Sequence, residues 1–240
     1  MTIVVAFLAI LIGVVAWWLS TQRIMSKPWL EIGVIDEPPG VRPPPAKIGL
    51  GVFLAVAGVL FALSISAYSM RLQAADWWPL PVPRLLWFNT GLLILASAAL
   101  EWSKVQSRHA DLDGVRFGLI AAGVFTLAFV IGQLMVWREL VGEGYFLASN
   151  PANAFFYLMT GLHVLHVLGG LVALARVTSR AFRTDEARGD KVSGERGKLR
   201  LGVELCAIYW HFLLVVWLVL FALIAGWAGD FFEICRQALS

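Results

Sequence analysis

Phe155-Phe156-Tyr157-Leu158-Met159-Thr160-Gly161-Leu162-His163-Val164-Leu165-His166-Val167-Leu168-Gly169-Gly170 carries no Asp, Glu, Lys or Arg and lies inside a longer apolar run at about 154–175. A helix needs about 20 such residues to cross the hydrocarbon core of a bilayer, because lipid offers unpaired backbone groups no partner. Five further runs of this kind lie at about 2–20, 48–68, 85–102, 117–137 and 204–228. The chain is therefore predicted to be an all-α integral membrane protein of six transmembrane helices. Composition agrees, since 59% of the 240 residues are apolar and only 15% are charged, against roughly 45–50% apolar usage in soluble domains.

The net charge of +3 does not point to nucleic acid, because most basic residues sit between the apolar runs, where they set orientation. Lys and Arg number four in 21–47, two in 69–84, three in 103–116, one in 138–153, eight in 176–203 and one in the tail. The first, third and fifth connectors are thus expected to be cytoplasmic, with the N- and C-termini on the periplasmic side. The Arg-rich stretch from Arg176 to Arg200 reads as the main cytoplasmic loop. The run at 2–20 lacks a basic segment before it, and Arg23 and Lys27 follow it, so it reads as a retained helix and not a signal peptide. A Pro-rich linker at 21–47, with Pro38-Pro39-Gly40 and Pro43-Pro44-Pro45, sets it apart from a five-helix bundle at 48–229 and a short tail at 230–240. Trp77 and Trp78 before Pro79, Pro81 and Pro83 read as an interfacial aromatic belt.

Ionisable groups inside membrane helices are costly and become the candidate functional residues. Thr160, His163 and His166 follow one another at i+3 steps, with Gly170 four beyond, which suggests one polar and small face. Glu204 and His211 are seven apart on the last run, around Tyr209 and Trp210. His166 and His211 fall at similar depth, so a network joining them to Thr160 and Glu204, or a groove for a polar head group, is expected. Metal or haem ligation is the weaker expectation, because His163 and His166 are stacked on a single helix. Asn89, Ser97 and Glu101 form a faint polar stripe, and Gln133 reads as a buried amide. Cys206 and Cys235 show neither CxxC spacing nor a ladder of partners. No nucleophile with its base, phosphate loop or nucleotide motif is present in the sequence.

The string with Phe156-Tyr157, Thr160-Gly161, His163, His166-Val167 and Gly170, together with Glu204 and Tyr209-Trp210-His211-Phe212 followed by Val215-Val216-Trp217, resembles subunit III of the haem-copper (cytochrome c or quinol) oxidases. The likeness extends through Trp87-Phe88-Asn89-Thr90 and through Gly132-Gln133 with Trp137-Arg138-Glu139-Leu140. It implies a non-catalytic subunit of a terminal oxidase in the bacterial inner membrane, within the respiratory electron transport chain that reduces oxygen to water and pumps protons. It also implies no cofactor in this chain, haem and copper in partner subunits I and II, a stabilising role toward subunit I, and a bound phospholipid. Carried over by motif, Thr160, His163, His166, Glu204, Tyr209, Trp210 and His211 would shape the lipid-binding or structural polar site. Two positions depart from the pattern: Gly58 stands where the family often has a buried glutamate, and Leu214 where it often has an acidic residue. An accessory subunit of nitric oxide reductase and an independent transporter or haem-binding protein are the alternative readings; no internal repeat supports the transporter.

Overall fold

The computed structural model describes residues 44–72, 77–78, 80–183 and 191–227, with backbone alone for 191–193. The expected helix at 2–20, nearly all of the proline-rich linker and the tail at 230–240 lie outside the described residues, as does Cys235. Every described element is helical. In chain order they are α1 (Pro45–Arg71), α2 (Leu85–Arg108), α3 (Leu112–Gly142), α4 (Pro151–Arg183) and α5 (Lys191–Ile224). All five carry a segment long and apolar enough to span a membrane, so the chain is a multi-pass membrane protein.

Each helix is longer than the apolar run that predicted it, although α5 ends at Ile224, short of the expected 228. At about 1.5 Å per residue, the 31 to 34 residues of α3, α4 and α5 make rods of roughly 46–51 Å, against a hydrocarbon core of about 30 Å. This corrects the expected loop from Arg176 to Arg200: 176–183 complete α4 and 191–200 open α5, with 184–190 outside the described residues. The connector expected at 103–116 likewise shrinks to His109–Asp111. Hydropathy marks where lipid ends, whereas Lys, Arg, Gln and Glu remain good helix formers beyond it. The extensions also have something to pack on, since Ala181, Leu199 and Val203 are buried and Arg116 donates from Nε and Nη2 to the Ala181 carbonyl at 3.3 Å. The linker boundary shifts for a related reason. Pro45 opens α1, a position where the missing N–H would have had no intrahelical partner.

α2, α3, α4 and α5 form a square in which each packs against its two neighbours, and α1 lies outside the square against α4 and α5. The α2–α3 edge is the tightest. Ser103 donates to the Val115 carbonyl at 3.1 Å, and Gly118 is so close to α2 that a Cβ there would stand 2.7 Å from the Ser103 Cβ and 2.9 Å from the Ala99 carbonyl. Small residues at such edges let backbones approach when the lipid is as apolar as any side chain. Asp111 caps α3, accepting from the Gly114 amide at 3.2 Å. On the opposite side of the bundle, Trp77 packs edge-on against Tyr68 of α1, with ring centroids 5.0 Å apart, and reaches Phe155 of α4 at 6.3 Å.

Candidate functional site

Helical geometry disperses the polar side chains of α4. Each i+3 step falls about 60° short of a full turn, so Thr160, His163 and His166 drift round the helix and do not share one direction. Thr160 is buried toward α3, where it accepts from Trp137 Nε1 at 3.2 Å while donating to the Phe156 carbonyl at 2.7 Å. His163 points into the square and is fully buried among the rings of Phe129, Trp217 and Phe61, with centroids 5.8, 5.1 and 6.3 Å away. Neither of its ring nitrogens has a hydrogen-bond partner. His166 turns toward α1, lies 5.4 Å from the Phe61 ring and 6.2 Å from Phe53, and bonds the Leu162 carbonyl through Nδ1 at 2.8 Å.

α5 divides its residues in the same manner. Tyr209 faces α4 and donates to the backbone carbonyl of His166 at 2.8 Å, and Gly170 makes that approach possible, since a Cβ there would lie 2.6 Å from the tyrosine ring. Trp210 points inward and donates to Thr126 Oγ1 at 3.0 Å. Glu204 and His211, two turns apart, do share a face, and it is the outer one. Glu204 pairs with Lys47 at the start of α1, 2.7 Å away. His211 Nε2 lies 4.0 Å from Glu101 Oε2 of α2. The structure thus brings His166, Tyr209 and Glu204 to the side of α1, sets His163 in the core behind them, and places Thr160, Trp210 and His211 elsewhere. His166 and His211 each bond the backbone of their own helix and do not join one network.

Three threonines carry a role that sequence reasoning missed. Thr90, Thr126 and Thr160 each donate to the carbonyl four residues back and each accept an indole N–H from another helix: Trp217 on Thr90 at 3.0 Å, Trp210 on Thr126 at 3.0 Å, and Trp137 on Thr160 at 3.2 Å. An indole can only donate, and lipid cannot accept. A tryptophan on the inner face of a membrane helix therefore signals that an acceptor must stand opposite, and Thr was the available one. Asn89 and Gln133, read separately as polar positions, meet across the α2–α3 edge at 3.4 Å, both fully buried.

Chemically the arrangement is one of packing and recognition. The three membrane-embedded histidines aim at the core, at α1 and at the outer face, so they do not converge on one point, and among the described residues no three His, Cys, Asp or Glu side chains are grouped to hold an ion. Cys206 is buried and unpaired. At the two positions where the family pattern departs, a Cβ at Gly58 would stand in ordinary contact with the Phe212 ring, 3.8 Å away, and Leu214 is half-buried against the core.

Residues 51–229, which take in α2 to α5 from α2's first residue to α5's last and α1 from residue 51 on, match the family model for cytochrome c oxidase subunit III. The chain is 31% identical over 192 residues to a probable cytochrome c oxidase subunit 3 of Mycobacterium tuberculosis, covering 76% of this chain and 88% of that one. It is 30% identical over 184 residues to the cytochrome c oxidase subunit 3 of Thermostichus vulcanus, covering 74% and 85%. With that of Synechocystis it shares 30% over 183 residues, 73% of each chain. Both the span of the match and the two histidine-bearing helices inside it lead to one assignment: the chain belongs to the cytochrome c oxidase subunit III family.

Proposed function

We propose that this chain is the non-catalytic subunit III of a proton-pumping haem-copper terminal oxidase in the bacterial inner membrane, where it stabilises subunit I. The observation that carries this reading is the family match running through the whole bundle from residue 51 to residue 229. In this reading haem and copper belong to subunits I and II, and a further span at 2–20 with the linker at 21–47 precedes the five-helix unit at 48–229 and the tail at 230–240, both termini being periplasmic. A bound phospholipid is the second part of the proposal. Its support is that α1 meets the square along a narrow seam, so that His166, Glu204 and Tyr209 keep polar atoms near that seam, while Thr160, His163 and Trp210 fix the helices behind them.

The test is a mild-detergent pull-down of the tagged chain from membranes of the source organism, with an optical spectrum, metal analysis and an oxygen-consumption assay on what is retained. Recovery of haem- and copper-bearing subunits that reduce oxygen is the expected result. A colourless chain recovered alone would overturn the assignment of role while leaving the family untouched.

A further inference from the structure

Past the apolar runs, the turn from α2 to α3 and the first turns of α5 enclose a cleft of about 50 Å³. Ala110 takes a left-handed φ of 60°, which reverses the chain between α2 and α3 within three residues and sets Asp111 and Leu112 across the cleft from α5. The floor is apolar: Val115 and Leu199 are buried and Leu112 is half-buried. The rim is charged. Arg196 and Arg200, one turn apart on α5, line it from one wall and Asp111 from the other. Lys104, Arg116 and Lys198 on this end of the bundle are committed to Glu101, Asp113 and Glu195. Arg196 and Arg200 are exposed and form no hydrogen bond or ion pair among the described residues.

Each part of the cleft restricts what fits it. Two guanidiniums on adjacent turns suit one planar carboxylate, which accepts from both forks at once. Asp111 gives one oxygen to the Gly114 amide at 3.2 Å and keeps further acceptor sites open. It therefore opposes a multiply charged anion such as a phosphate and favours a ligand that brings an N–H together with its carboxylate. A volume of about 50 Å³ is roughly a third of one that holds benzene, so the floor takes a short aliphatic side chain and not a ring. Position excludes an acyl chain. The turn lies seven to nine residues past the apolar run that ends at 102, and Arg196 eight before the run that opens at 204, so both stand roughly 10–14 Å outside the hydrocarbon. Carboxylate, N–H and short aliphatic side chain together describe a peptide. We propose that this cleft docks an acidic peptide segment of another subunit of the complex, its carboxylate on Arg196 and Arg200 and its aliphatic side chain on Leu112, Val115 and Leu199. This rests on the reading of the chain as a subunit and adds to it a contact outside the membrane.

The experiment uses the purified complex carrying Arg196→Lys or Arg200→Lys, each of which keeps the charge and presents an amine. A carbodiimide joins an amine to a carboxylate in contact with it, and Lys198 with Glu195, 2.7 Å apart, serves as the internal control. Peptide mass spectrometry is expected to find the amine at position 196 or 200 joined to an acidic side chain or a chain terminus of another subunit. Arg196→Glu with Arg200→Glu should then weaken retention of that subunit about tenfold, toward the upper end of what two exposed ion pairs give. Changing the coupled carboxylate to lysine should restore it. Coupling that is confined to Asp111, or absent while the control couples, overturns the docking site, as does retention unmoved by the double reversal. Loss of anionic phospholipid in place of a subunit, read by native mass spectrometry, assigns the cleft to lipid and overturns it too. A chain recovered with no partner at all would overturn the subunit reading as well, which keeps the two failures apart.

Discussion

The α2–α3 edge and the α1 seam solve the same problem in opposite ways. Across the first, Gly118 lets α3 come up against the α2 backbone, Gly132 makes room for the Asn89 side chain, Ser103 bonds the facing helix, and Asn89 and Gln133 meet in the interior. Across the second, Ala57 and Phe61 are the residues of α1 that are buried, and an ion pair between Lys47 and Glu204 ties one end. In water α1 would be an unfinished helix. In lipid its apolar outer face has no drive to leave, so a narrow contact suffices to hold it, and the difference shows that membrane helices are joined by fit and by hydrogen bonds more than by hydrophobicity.

The most damaging way to break that comparison is to fill the tight edge. A Cβ at Gly132 would already collide with Asn89 Oδ1, so Gly132→Leu should force α3 off α2 at a cost of about 3 kcal/mol or more. The chain should then fail to accumulate in assembled complex, as read by immunoblot of membrane fractions and by thermal aggregation in detergent. Wild-type levels and stability would mean that the α2–α3 edge is not the anchor of the square.

Phe61→Ala asks the same question of α1. In a water-soluble core this truncation costs about 3–5 kcal/mol, but here lipid can close over the gap left at the seam, so the loss is packing against His163, His166, Met159, Val216 and Leu220. The expected loss is roughly 1–2 kcal/mol, seen as faster hydrogen exchange confined to α1 with α2–α5 unchanged. An effect as large as that of Gly132→Leu would erase the distinction between the two regions.

The threonine–tryptophan pairs come below both. Thr90→Val with Trp217→Phe, measured singly and together, should give a coupling of about 0.6–1 kcal/mol, the range seen for interhelical hydrogen bonds in bilayers. Additive losses would mean that the 3.0 Å contact is incidental to two side chains packed for other reasons.

How much of this was legible beforehand follows from the same physics. The five described spans were readable because hydrocarbon thickness imposes a length, and the positions of Asn89 and Gln133 as buried polar groups followed from their apolar settings. Helix ends were not readable from hydropathy, because Ala181, Leu199 and Arg116 continue the packing outside the apolar runs. The dispersal of Thr160, His163 and His166 was obscured by treating i+3 steps as a shared face, when three residues of 100° each leave a 60° lag that accumulates. Thr126 as the acceptor for Trp210 required knowing that α5 crosses the square toward α3, which no local pattern states.

Lys47→Gln should have the smallest effect. Its ion pair with Glu204 is short at 2.7 Å, yet the two side chains keep 35% and 30% of their surface exposed, and pairs in such settings contribute about 0–1 kcal/mol. Because the contact joins the first turn of α1 to α5, the loss should appear as local opening of that end, detectable by hydrogen exchange at residues 47–50, while global stability moves little. The same opening should be reached in the unmodified protein by raising salt toward 1 M, where the screening length falls to about 3 Å. Salt that opens the end of α1 in the wild type but not further in Lys47→Gln would assign the effect to this pair, and salt sensitivity equal in both would show that α1 is held there by its apolar contacts alone.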